Sequence, residues 1–140
     1  MADVKVVDEI PAGVDQVWAK IADFGGLKSW APNLESCELE GTGIGSVRKM
    51  VMGGANIHER LEKLDEAGHS LSYSIVEAPM PVENYLATIT VSEAGDGRSK
   101  IEWTATFDVP GMSDEQAQGM AAGMEGAYKG MVGALQQLFS

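Results

Sequence analysis

Residues that support disulfide, metal or redox chemistry are nearly absent from this sequence. Cys37 is the single cysteine, and His58 and His69 are the two histidines in 140 residues. An intrachain disulfide is therefore impossible, and a zinc-type site would lack ligands. The glycine-rich run over 41–45 has no helix pattern after it, so it indicates a hairpin turn and not a phosphate loop. We expect a protein that works without a metal or a cofactor.

Basic residues are also scarce. Lysine and arginine number 10 against 21 aspartates and glutamates, which gives a formal charge of −11. Such a surface repels nucleic-acid phosphates and anionic lipid. No apolar run is long enough to cross a membrane, and acidic residues such as Asp3 and Asp8 stand where a signal peptide needs a basic start. We expect a cytoplasmic protein with no nucleic-acid partner and no integral membrane association; the oligomeric state stays open.

The spacing of apolar residues predicts a single domain over residues 1–140. Hydrophobic residues make up 44% of the chain, enough for one globular core. Between Val14 and Ile21 they recur at helical spacing, which predicts a helix over 13–22. From 34 to 109 the period changes to two, as in a long antiparallel meander with one apolar and one polar face.

The end of the chain is predicted to be one long helix. Ser113 is suited to be its N-cap, and Met120, Met124 and Met131 fall on one apolar stripe. Five glycines lie on a narrow arc beside that stripe, at positions 119, 123, 126, 130 and 133. Because each costs about 1 kcal/mol of helix propensity relative to alanine, we expect close backbone packing to compensate. The alternative is that the glycines leave room for a ligand.

Several segments together resemble one superfamily. They are 17–24 (VWAKIADF), 30–33 (WAPN), 59–65 (ERLEKLD), 72–74 (SYS), 84–85 (NY) and 108–110 (DVP). In these segments the chain resembles the SRPBCC superfamily of START-like and polyketide cyclase/dehydrase-like proteins, and its motifs are most similar to bacterial relatives of the plant abscisic-acid receptor branch. The resemblance implies an α+β helix-grip fold: a curved antiparallel sheet of about seven strands gripping a long C-terminal helix around an internal cavity.

The same resemblance implies where the cavity opens. The gate loop of the receptor branch falls at Gly53, Gly54 and Ala55 here. Its second loop falls at Met80, Pro81 and Val82. The lysine that holds the hormone's carboxylate in that branch has no counterpart here. The resemblance therefore implies a gated apolar pocket and not a hormone receptor.

Glu59 is the most informative single residue. It alternates with Ile57 and Leu61 on the apolar face of a predicted strand, where an ionised carboxylate is costly unless it is paired. In one interpretation Glu59 points into the cavity, binds water or a ligand hydroxyl, and is the best candidate for a general base. In the other it lies near a strand end and reaches solvent. The resemblance places a pocket-lining acid here and favours the first.

The remaining candidate ligand-binding residues are aromatic. Tyr73 and Tyr85 share the inward parity and are candidate hydroxyl donors, although either could be an ordinary core residue. Ser70, Ser72 and Ser74, which alternate with the inward residues of the same predicted strand, should face solvent. Trp103 and Phe107 are expected to supply apolar wall, together with the three methionines of the long helix.

These observations leave three functions open. The first is binding or transport of a small hydrophobic or amphipathic ligand, such as a lipid, isoprenoid or polyketide-like molecule, in the internal cavity. The second is a polyketide cyclase or dehydratase that uses the same cavity, with Glu59 or a tyrosine moving a proton. The third is an interaction module that a bound ligand switches by closing the gate.

Overall fold

The computed structural model describes residues 2–140, which form seven strands, two α-helices and one 3₁₀ helix. The elements in chain order are β1 (Ala2–Ile10), α1 (Val14–Ala22), the 3₁₀ helix (Phe24–Ser29), β2 (Leu34–Glu40), β3 (Val47–Met52), β4 (Ala55–Asp65), β5 (Ser70–Glu77), β6 (Glu83–Gly95), β7 (Arg98–Asp108) and α2 (Asp114–Leu138). The helix predicted over 13–22 is α1, and the predicted meander is β2 to β7.

All seven strands belong to one antiparallel sheet, in the order β1-β7-β6-β5-β4-β3-β2. Between β4 and β5 the register shifts twice, between His58 and Glu59 and between Leu61 and Lys63. Such bulges bend a strand and increase its twist, so they help to curve the sheet. The long helix α2 packs along β1 and crosses the concave face. The predicted helix-grip architecture is thereby confirmed.

The start of α2 follows the sequence prediction. Ser113 is the N-cap: its Oγ accepts a hydrogen bond from the Gln116 amide at 3.2 Å, and its own amide donates to Gln116 Oε1 at 3.0 Å. Asp114 and Glu115 in the first turn add negative charge at the positive end of the helix dipole. The helix therefore has a fixed starting point, which sets the direction of its inward face.

The expected close packing of the α2 glycines is wrong. A Cβ atom added to any of these five glycines would have no neighbouring atom within 4 Å. The glycine arc points largely to solvent, because the buried side of α2 is opposite and carries Met124, Tyr128 and Leu135. Only Gly123 of the five borders the cavity described below. The cost in helix propensity is therefore not offset by backbone contact.

The expectation that Ser72 faces solvent is also wrong. Ser72 is 5% exposed, and its hydroxyl is 2.8 Å from the Thr88 hydroxyl on β6. Ser70 and Thr90 form the same kind of pair at 3.0 Å one step along the strands. Hydroxyl pairs of this kind satisfy each other's hydrogen-bonding capacity across strands. The hydroxyls on this face therefore have partners without any charged group.

Within residues 2–140, no helix is both long enough and apolar enough to cross a membrane.

Candidate functional site

A cavity of about 430 Å³ lies between the concave face of the sheet and α2. Its lining comes from β3 to β7 and the connection between β5 and β6, from α2, and from Leu27 of the 3₁₀ helix. Six of the chain's eight methionines contribute to it: Met50, Met52, Met80, Met120, Met124 and Met131. Thioether side chains are flexible and polarizable, so they adapt to apolar molecules of different shapes.

Most of the residues that the sequence nominated for ligand binding border this cavity. They are Glu59, Tyr73, Tyr85, Trp103, Met120, Met124 and Met131. Phe107 is the exception, because it is fully buried and lies behind Tyr85, with the two ring centroids 6.1 Å apart. Phe107 supports the wall from behind and does not line the cavity.

The first expected gate loop is a tight turn. Gly53 and Gly54 join β3 directly to β4, both with positive φ values of 55° and 81°, and Ala55 is already the first residue of β4. A two-residue turn of this geometry suits glycine at both positions. The flanking residues Met52 and Ile57 reach the cavity, whereas the three nominated residues do not line it.

The second expected gate is a true connection. Residues 78–82 link β5 to β6, and Met80 lines the cavity. Val82 packs against the core instead. Pro81 lies between them and is not among the lining residues. Only Met80 of this predicted set is placed to touch a bound molecule.

A buried ion pair forms the polar part of the cavity wall. The Arg48 Nε and Nη2 atoms are 2.8 Å and 2.7 Å from Glu59 Oε1, and Nη1 donates to the Phe24 carbonyl oxygen at 3.3 Å. Arg48 is 5% exposed and Glu59 is 9% exposed. The guanidinium carbon also lies 4.0 Å from the centroid of the Phe24 ring and 4.9 Å from that of Tyr73. Arg48 thus fixes Glu59 and ties the 3₁₀ helix to the sheet.

Arg48 was missed by the sequence analysis, although a signal for it was present. The two-residue turn sets the β3–β4 register, which places Arg48 directly opposite Glu59. Arg48 also shares its strand parity with Met50 and Met52, which both face the cavity. A charged residue at an inward position, opposite an inward acid, predicts a buried pair.

Only one oxygen of the Glu59 carboxylate is used by Arg48. Both guanidinium contacts, from Nε and from Nη2, go to Oε1. Since Glu59 lines the cavity, Oε2 is an acceptor available to a ligand hydroxyl or amine. The pair as a whole carries no net charge, so it orients a ligand without demanding a charged one.

Three phenols form the second polar feature. The Trp103 indole donates from Nε1 to the Tyr73 hydroxyl at 3.2 Å, and the hydroxyls of Tyr85 and Tyr128 are hydrogen-bonded to each other. The Trp103 and Tyr128 rings are stacked, with centroids 4.7 Å apart. Tyr128 was not nominated from the sequence, yet it follows Met124 by four residues and therefore lies on the same helix face.

These phenols stay protonated well beyond neutral pH. Burial is the main cause that raises the pKa of each of the three hydroxyls above the usual phenol range, and the negative charge of Glu59 raises each of them further. The cluster therefore presents neutral O–H groups, which donate hydrogen bonds and do not act as bases near pH 7.

The sequence was also compared with known families and proteins. The model of the family described as "Polyketide cyclase / dehydrase and lipid transport" matches residues 1–140. Among characterised proteins, the abscisic acid receptor PYL6 of Arabidopsis thaliana is 30% identical over 123 residues, which cover 79% of this chain and 57% of the receptor. The chain thus spans little more than half the length of the curated relatives it matches.

Solved structures extend the similarity along the whole fold. The protein XoxI from Bacillus cereus superposes with a TM-score of 0.88 at 38% identity, over 99% of this chain and 96% of that one. The ZhuI aromatase/cyclase from Streptomyces superposes with a TM-score of 0.82 at 21% identity, over 99% of this chain and 93% of that one. At that lower identity the likeness extends to the fold alone.

Proposed function

Because the chain belongs to the polyketide cyclase/dehydrase and lipid transport family, we propose that it binds a small apolar or amphipathic molecule, such as a lipid, isoprenoid or polyketide-like compound, in the cavity between the sheet and α2. The observation that carries the proposal is the combination of a mostly apolar lining with a few fixed polar groups in a space of about 430 Å³. Cavities of this size and character are typical sites for small molecules.

Apolar burial is the driving force in this proposal. The methionines, Leu27, Ile57 and Ile75 offer an apolar lining to the ligand body. Each ligand methylene that leaves water for such a lining contributes about 0.8 kcal/mol. Glu59 Oε2 and the phenol cluster then set the orientation, since a ligand polar group left unpaired inside the cavity would cost binding energy.

Native mass spectrometry of gently purified protein, followed by denaturing extraction, tests the proposal directly. We expect a copurifying small molecule, or else saturable binding of the neutral fluorophore N-phenyl-1-naphthylamine at one site per chain. Ala127 lines the cavity, so Ala127→Trp should fill part of it and weaken binding at least about tenfold.

Ala122 provides the matched control on the same helix. It is exposed and does not line the cavity, so Ala122→Trp should bind the fluorophore as the unmodified chain does. Equal binding by both tryptophan variants would contradict the proposed location, and no binding by the unmodified chain to any apolar probe would contradict the function.

A second candidate function is a cyclase or dehydratase reaction in the same cavity. It is favoured by the juxtaposition of a free carboxylate oxygen, Glu59 Oε2, with phenolic O–H donors that border the same space. In such a step Oε2 would take a proton from a carbon acid of the substrate, the electron pair would stay on the substrate as an enolate, and a phenol would donate a hydrogen bond to its oxygen.

Turnover of a poly-β-ketone substrate by Glu59→Gln separates this function from simple binding. The enzyme hypothesis requires a loss of rate of about 100-fold or more with binding retained. Glu62→Gln, on the other face of β4, is the matched control. Unchanged turnover in Glu59→Gln would exclude the proposed base. A ligand-switched interaction module is less favoured, because the two-residue turn at Gly53 and Gly54 offers little chain that could rearrange.

A further inference from the structure

Every tyrosine of the chain lies at the cavity. The sequence contains three tyrosines, and Tyr73, Tyr85 and Tyr128 all line the same space with 2%, 7% and 6% of their surface exposed. The hydroxyls of Tyr85 and Tyr128 are hydrogen-bonded to each other, and that of Tyr73 accepts from the Trp103 indole. Tyr85 and Tyr128 are thus one hydrogen-bonded unit and not two separate groups.

The two hydroxyls of this unit carry two protons, and the link between them uses one, whichever oxygen donates. One hydroxyl proton therefore remains without an acceptor inside the unit.

Tyr73 is the most deeply buried of the three phenols; its hydroxyl accepts from the Trp103 indole and stands outside the pair. Within the Tyr85–Tyr128 pair either oxygen can be the donor. Whichever it is, the other hydroxyl then has its proton free to point into the cavity.

We propose that Tyr85 and Tyr128 together act as a single hydrogen-bond donor, which selects ligands that carry a carbonyl-type oxygen acceptor at this point of the cavity. The selection presupposes the ligand binding proposed above. Glu59 Oε2 is a hydrogen-bond acceptor. The cavity therefore favours a ligand with a hydrogen-bond donor near Glu59 and an acceptor near the Tyr85–Tyr128 pair.

A shared donor responds to loss of one hydroxyl differently from two independent donors. If Tyr85 loses its hydroxyl, Tyr128 keeps its own proton for the ligand. If Tyr128 loses its hydroxyl, the Tyr85 proton loses its acceptor and becomes available instead. Each single phenylalanine substitution thus preserves one donor, and only the double substitution removes it.

The test uses two probes of nearly equal shape, α-tetralone and tetralin, which differ by one carbonyl oxygen. Equilibrium dialysis gives a Kd for each probe with the unmodified chain, Tyr85→Phe, Tyr128→Phe and the double variant. The ratio of the α-tetralone Kd to the tetralin Kd should change less than about threefold in either single variant. It should rise by about tenfold or more in the double variant, because the buried carbonyl is then unpaired.

The tetralin Kd is the internal control, since a variant with a damaged cavity loses both probes and a variant with a lost donor loses only α-tetralone. An unchanged ratio in the double variant, with tetralin still bound, would overturn the shared donor and leave apolar binding intact. A tenfold rise already in one single variant would assign the donor to one tyrosine and overturn the sharing. Failure of the unmodified chain to bind tetralin would count against both the binding function and the donor.

Discussion

The two walls of the cavity, one from the sheet and one from α2, carry different kinds of side chains. The sheet contributes polar groups that are held by directional bonds: the Arg48–Glu59 pair, and Tyr73, whose hydroxyl accepts from the Trp103 indole. The helix α2 contributes methionines and small residues such as Gly123, which make no directional contacts. The sheet wall is therefore suited to fix the orientation of a ligand, and the helix wall to follow its shape.

Tyr128 is where the two walls meet. It belongs to α2, but its ring stacks on Trp103 of β7 and its hydroxyl is hydrogen-bonded to that of Tyr85 on β6. This residue couples the position of the helix to the hydrogen bonds of the sheet. The contrast between the walls teaches that specificity and adaptability are assigned to separate elements of the fold, with one side chain joining them.

The largest expected effect comes from breaking the ion pair of the sheet wall. Arg48→Leu leaves the buried Glu59 carboxylate without its partner, which should cost about 3–5 kcal/mol of unfolding free energy. Urea unfolding at pH 7 measures it. The double variant Arg48→Leu with Glu59→Leu removes both charges and should recover most of the loss. A cost below about 1 kcal/mol for Arg48→Leu would show that the pair does not constrain this wall.

Alkaline pH should weaken the junction between the walls. The pKa of all three phenols is raised in the folded state, first by burial, whereas the unfolded chain ionises near pH 10. As the pH rises, the unfolded chain therefore releases its phenol protons before the folded protein does. The contribution of the protonated phenols to folding stability is fully present below about pH 10 and is lost as the pH rises above it.

Two measurements check this expectation. Phenolate absorbance should stay low above pH 10 for as long as the protein remains folded, and urea midpoints should fall between pH 9 and 11. Tyr85→Phe should reduce the fall by about a third. An ordinary phenol titration in the folded state would contradict the enclosed cluster.

The helix wall can be stiffened without touching the sheet wall. Gly119, Gly126 and Gly130 do not line the cavity and have open space at the Cβ position. Changing all three to alanine should add about 2–3 kcal/mol of unfolding free energy through helix propensity. Gly53→Ala is the control with the opposite sign, because φ is 55° there. Thermal unfolding decides: a loss of stability in the triple variant would indicate that the arc has a packing role.

The smallest effect is expected from exchanging one flexible side chain of the helix wall. Met124→Leu keeps the volume nearly constant and should change the unfolding free energy by less than about 1.5 kcal/mol. Its effect should appear in the range of ligands instead, since leucine adapts less well than methionine. Binding a set of apolar probes of increasing width would reveal a narrower range, and an identical range would argue against adaptability as the role of this wall.

Much of the fold was predictable because it depends on periodicity. The change from a helical spacing before Ala22 to alternation after Leu34 defined the elements, and the quoted motifs gave the family, which the full-length family match confirmed. Glu59 was identified for the same reason, since an acid between two inward aliphatic residues breaks the alternation.

The alternation of residues along a strand does not show how far the cavity extends along that strand. Phe107 shares its parity with Trp103, but the cavity ends before it reaches Phe107. Arg48 was overlooked because a single basic residue in a strand is usually solvated, and its burial follows only from the register with Glu59. Tyr128 was overlooked because the inward face of the helix was defined by its methionines alone, which gave too narrow a face.

The rim of the cavity, formed by the β3–β4 turn and the β5–β6 connection, has little conformational freedom even before a ligand binds. Its β3–β4 turn is two glycines long and is held between paired strands, and the five-residue β5–β6 connection contains Pro79 and Pro81, whose backbone torsions are already restricted. A ligand that enters therefore pays little conformational entropy to order the entrance. We expect the rim amides to exchange with deuterium at nearly the same rate in the free and the occupied protein.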